Sequence, residues 1–123
     1  MKHAFLLLFL ALGFQVAAQK RELIQDKDAI LARASEELDA AMAPGGALYE
    51  AINEEGLTGV MTARISFRDK GDVTSVFVVD YTGGDFRSQN RFKDLLHGIR
   101  FGFKTPKGKQ YRLEKEFVLS LER

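Results

Sequence analysis

The chain predicts an α+β fold: a small antiparallel sheet of three to four strands, in the order β-β-α-β, packed by a helix and preceded by an N-terminal helix. Three observations lead there. Residues 60–81 read as two strands about a short glycine turn, the first alternating in hydropathy and the second apolar on both faces for part of its length. Two segments, Lys20–Met42 and Ser88–Ile99, repeat their apolar residues at helical spacing. The last dozen residues return to a period of two. Strand and helix are mixed without regular βαβ alternation, which separates this chain from the parallel α/β class.

In chain order, Met1–Gln19 reads as an export signal. Lys2 is its basic start, Ala4–Phe14 its apolar stretch, and Val16-Ala17-Ala18 the small residues before cleavage near Ala18. The apolar run is shorter than the roughly 20 residues that span a bilayer, which favours cleavage over a retained anchor. The expected location is periplasmic or secreted, with a membrane attachment only if the segment stays uncleaved.

Next, Leu23, Ile30, Leu31, Ala34, Leu38 and Met42 form one stripe of a helix over Lys20–Met42, and Pro44-Gly45-Gly46 ends it. Its polar face is mixed in sign, which suits packing on the sheet better than lying on a membrane. Ala47–Glu55 is a short second helix with Leu48 and Ile52 on one side and Gly56 just beyond it.

The hairpin follows. Met61, Ala63, Ile65 and Phe67 share one face of its first strand, and Thr62, Arg64, Ser66 and Arg68 the other. Gly71 supplies the positive φ that the Asp69–Asp72 turn requires. Val73, Val76, Phe77, Val78, Val79 and Tyr81 make the second strand apolar on both faces, which predicts an interior strand covered on both sides.

Ser88 is placed to cap a third helix with Phe92, Leu95, Leu96 and Ile99 inward. Phe101-Gly102-Phe103 reads as extended and Lys104–Lys109 as a basic turn. In the final strand, Gln110–Leu121, the residues Tyr111, Leu113, Phe117, Leu119 and Leu121 face one way, with Arg112, Glu114, Glu116 and Ser120 opposite. The divisions are therefore 1–18, the signal; 19–46, the amphipathic helix and its break; and 47–123, the α+β domain.

Several chemistries lack their residues. With 123 residues, 46% hydrophobic and 28% charged, the chain is one small globular unit. It has no cysteine, hence no disulfide, thiolate metal site or Cys nucleophile. Only His97 remains beyond the signal, since His3 belongs to it, and a capping role near a helix end suits it better than catalysis. Metal-protease, phosphate-loop and nucleophile-elbow spacings are missing. No catalytic residue, cofactor or metal is assigned, and Asp69, Asp72 and Asp85 fit turn roles.

Charge is lopsided: Gln19–Gly56 holds four basic and nine acidic residues, and Arg87–Arg123 ten basic and four acidic. The best-defined cluster is Lys104, Lys107, Lys109 and Arg112. It could meet an acidic partner or lipid phosphate, or protect a sheet edge from aggregation.

The stretch from Tyr49 to Leu121 resembles the C-terminal domain of TonB-like periplasmic proteins. The pieces are Tyr49 and Ala51; Gly59-Val60 leading to Arg64-Ile65-Ser66-Phe67; the turn Asp69–Val73; the helix with aromatic exit Phe92–Phe103; and Pro106-Lys107-Gly108-Lys109 before the last strand. Two departures stand out. Tyr49 is followed by Glu50 where the family often has proline. With only 2 prolines, the chain also lacks the long spacer of an energy transducer.

The resemblance implies a free-standing, non-catalytic envelope module that binds extended peptides, with segments of outer-membrane transporters as one partner class. The candidate contact residues are Tyr111, Leu113, Lys115 and Phe117 on the last strand, with Lys104, Lys107, Lys109 and Arg112 beside them. A second copy of the chain is a further partner to consider, and nucleic acid is not expected for an exported chain. A small envelope hydrolase around His97 and a purely structural or regulatory piece stay open as alternatives.

Overall fold

The computed structural model describes residues 21–120. The signal segment, the cleavage point, Lys20 and Leu121 lie outside the described residues. The elements are β1 (Glu22–Leu23), α1 (Lys27–Met42), α2 (Ala47–Glu55), β2 (Gly59–Arg68), β3 (Val73–Thr82), α3 (Phe86–His97), β4 (Phe103–Lys104) and β5 (Gln110–Ser120). Antiparallel pairing gives a three-stranded sheet in the order β3-β2-β5, and β1 pairs with β4 in parallel as a separate two-stranded piece. The fold is α+β, as the periodicity predicts.

One face of the sheet carries the core. Met61, Ala63, Ile65 and Phe67 of β2 are all at most 1% exposed. On this face they meet Val76 and Val78 of β3, and Leu113, Phe117 and Tyr111 of β5. Ile30, Ala34 and Leu38 of α1, Leu48 and Ile52 of α2, and Phe92 and Leu96 of α3 join the same cluster. The first helix thus packs on its own sheet. Phe67 is the hub, its ring 4.8 Å from Phe101, 6.2 Å from Phe103 and 6.1 Å from Tyr111.

Three expectations are corrected. The first helix begins at Lys27 rather than Lys20. Asp26 is its N-cap, accepting from the Ala29 N–H at 3.0 Å, and the chain before it is the strand β1. That strand is fastened by Arg21, which donates to the carbonyls of Lys70, Phe101 (3.1 Å) and Phe103 (3.5 Å).

Second, α3 is capped by Asp85, not Ser88. The Asp85 carboxylate accepts from the Ser88 N–H at 2.9 Å, and the fully buried Ser88 hydroxyl accepts from the Thr58 N–H at 3.0 Å. A serine one turn in serves a long-range contact instead.

Third, β3 is an edge, and β2 takes the interior place. Phe77 and Val79 are 61% and 41% exposed, so the second apolar face of β3 is open rather than covered. β3 is also bulged twice. Val79 is the extra residue between the pairs Thr62↔Asp80 and Ala63↔Val78, and Thr74 between Ser66↔Ser75 and Phe67↔Val73.

Acid sensitivity follows from the caps and ties. The hydrogen bond from Arg91 holds Glu55 below its ordinary value of 4.5, and the Ser88 side chain and N–H hold Asp85 below 3.8. A carboxylate depressed in the folded state favours folding above its unfolded value and ceases to do so as pH falls through its folded value. The melting midpoint should therefore decline as pH drops from about 4.5 downward. Asp85→Asn, which keeps a capping oxygen but cannot ionise, should flatten that decline in melts taken at successive pH values. An unchanged slope would remove Asp85 from the explanation.

Candidate functional site: the β5 edge and the groove at its start

Strand β5 borders β2 on one side only, and among the described residues no strand pairs with its other side. Its register with β2 runs without interruption from Val60↔Val118 to Arg68↔Gln110. Its one irregularity, the extra residue Leu119 between Val60↔Val118 and Gly59↔Ser120, lies at the far end, whereas the two bulges of β3 interrupt that edge along its length and blunt it against pairing.

The strand's two faces differ. Tyr111 and Phe117 are 8% and 1% exposed and belong to the core, where the Phe117 ring lies 5.2 Å from that of Phe92. Leu113 packs against the same cluster. Lys115 projects to the helix side, its Nζ 2.8 Å from Asp39 Oδ1 and 2.9 Å from Ser35 Oγ. These four candidate contact residues are therefore packing groups. What β5 presents outward is its main chain together with Arg112, Glu114, Glu116 and Val118, all exposed. On that outer face Arg64 spans three strands, donating to Glu114 at 3.1 Å and lying 5.7 Å from the centre of the Phe77 ring.

The basic cluster divides in two. Lys104 and Lys107 line a cavity of about 420 Å³ with Leu23, Asp69, Lys70, Thr105 and Pro106. Lys109 and Arg112 line another of about 390 Å³ with Gln25, Lys27, Ser66, Gln110 and Tyr111. The second is a groove along the first residues of β5, walled by the approach to α1. Gln25, Lys27 and Ser66 are the members that sequence reasoning misses. They come from segments 40 to 85 positions away from β5, and no local spacing marks them.

His97 is exposed at the end of α3. Asp72 is tied to Arg68 at 2.8 Å. Burial pushes its carboxyl up, but its own N–H, Arg68 and Arg100 together outweigh this and hold it below the ordinary aspartate value. No group of three His, Cys, Asp or Glu side chains among the described residues is placed to hold a metal ion. No helix among them is long and apolar enough to cross a membrane. Comparison of the chain with protein-family models, with curated proteins and with solved structures finds no match.

Proposed function

We propose that this chain is an exported, non-catalytic interaction module of the cell envelope that binds extended peptide segments by strand addition at β5. In this reading it is a counterpart of the TonB C-terminal domain, and segments of outer-membrane transporters are one partner class. The observation that carries the proposal is the unpaired β5 border, in continuous register from Gln110 to Val118, in a sheet whose other border is bulged twice. A visiting strand satisfies the outward N–H and C=O groups, and the side chains on its two faces meet Arg112, Glu114 and Val118 on one side and the flank of α1 on the other. The reading of Met1–Gln19 as an export signal supplies the compartment.

Proline tests it. Along an antiparallel edge strand successive N–H groups point alternately to the neighbour and away. Of Glu114→Pro and Lys115→Pro, one therefore removes a β2–β5 bond and the other removes an outward donor. The outward one should keep the far-ultraviolet circular dichroism and lose the partners captured by photo-crosslinking from Val118 in intact envelopes. Identical crosslinks before and after that substitution would end the strand-addition reading.

A further inference from the structure

We propose that the groove at the start of β5 receives the acidic end of the extended segment that pairs with this edge, an inference that rests on the strand-addition reading above. Four consecutive residues of the groove, Lys109–Arg112, lead directly into the β5 edge, so a segment lying along β5 runs into it. Its lining includes three cations, Lys27, Lys109 and Arg112, and no carboxylate.

Among the described residues none of these three has a carboxylate oxygen within 4.0 Å. By contrast Arg33, Arg64, Arg68, Arg91 and Lys115 each have one. The other two strongly basic cavities include Asp69, and one of them Asp72 as well. Two acids flank Lys27 in the chain; Asp26 caps α1 through the Ala29 N–H and Asp28 stands in the helix's first turn, and neither lines the groove. Ser66, 7% exposed, is the member of the lining contributed by β2.

A partner with Asp or Glu where it passes residues 109–112 thereby gains charge pairing at one end of the strand. The opposite sign follows further on, at Glu114 and Glu116, so the edge reads polarity as well as extension. A cavity walled by three segments suits one or two acidic side chains better than a planar lipid surface, which needs cations spread over an open face.

The test uses the purified chain and three eight-residue peptides capped at both ends. One is Asp-Asp-Val-Thr-Val-Thr-Val-Thr, and the others carry Ser-Ser or Lys-Lys in place of the aspartates. Sodium phosphate, and vesicles with and without phosphatidylglycerol, complete the set. Binding is read from amide shifts of Lys109–Arg112 and Ser66. The aspartate peptide should bind about tenfold more tightly than the serine peptide at low salt, with the lysine peptide weakest. The advantage should shrink as salt rises.

The double variant Lys27→Gln, Lys109→Gln should abolish that advantage, read as the ratio of the two peptides' affinities for the same variant, since both positions are exposed and lie outside β5. Equal binding by all three peptides would overturn the acidic preference while strand addition stands. Phosphate or anionic vesicles occupying the groove with no discrimination among peptides would reassign it to a free anion or a lipid headgroup. Failure of every peptide to perturb β5 would remove strand addition, and this inference with it.

Discussion

Phe67→Ala should lower stability by about 3–5 kcal/mol, enough to leave a domain of this size marginal or unfolded at room temperature. The side chain is fully buried in the middle of the sheet. Its ring is the common neighbour of Phe101, Phe103 and Tyr111. Those three come from the chain leaving α3, from β4 and from the start of β5. Truncation leaves a cavity bounded by rigid rings from separate elements, which cannot all collapse into it, so the cavity penalty adds to the lost burial. Urea unfolding measures the loss, and the melting midpoint should fall by about 4–8 °C per kcal/mol. Phe77→Ala is the control. At 61% exposed it should change stability by less than about 1 kcal/mol. A Phe67→Ala loss as small as that of Phe77→Ala would mean that the aromatic exit from α3 is not seated on the sheet.

Gly71→Ala should cost about 3 kcal/mol from two separable effects. The hairpin turn holds this residue at φ +87°, where an L side chain is strained by roughly 1–2 kcal/mol. A Cβ there would also stand 2.6 Å from the Phe101 carbonyl oxygen, which is backbone and cannot swing aside. The Phe101 N–H meanwhile donates to the Gly71 carbonyl at 2.8 Å, so relieving the clash breaks a bond. Gly108→Ala isolates the first effect. Gly108 has φ +79° but no atom within 4 Å of its would-be Cβ, so only the strain should appear. Equal losses for the two glycines in denaturant titrations would show that the strand exit at 99–103 is not held against the turn.

Much of the fold is legible because it is written at short range. Phe67, Ile65, Ala63 and Met61 repeat every second residue, and that alone puts them on the buried face of β2. Phe92 and Leu96 identify the inner side of α3 by the same logic at helical spacing, and Gly71 and Gly56 mark a turn and a helix end through their positive φ. The site was less legible. Tyr111 and Phe117 stand out in the sequence as prominent side chains of the last strand, yet their prominence is that of core residues. The groove residues Lys27 and Ser66 carry no signal of their own.

β3 shows why. A run such as Val76-Phe77-Val78-Val79 says that a strand is apolar on both faces, and a buried central strand is the ordinary cause. Here the second face is exposed, because all three helices lie on the same side of the sheet. Position within the sheet depends on which strands find one another, and β5 pairs with β2 across some 50 residues. The amino-acid order alone determined the three helices and three long strands, most of their inward faces and the glycine turns, since hydropathy period and backbone φ preference act between near neighbours. Only the tertiary structure decided the order β3-β2-β5, the seating of β1 on β4 and the joining of Lys27 to Lys109 and Arg112. Those outcomes follow from long-range packing and hydrogen bonding that no single stretch encodes.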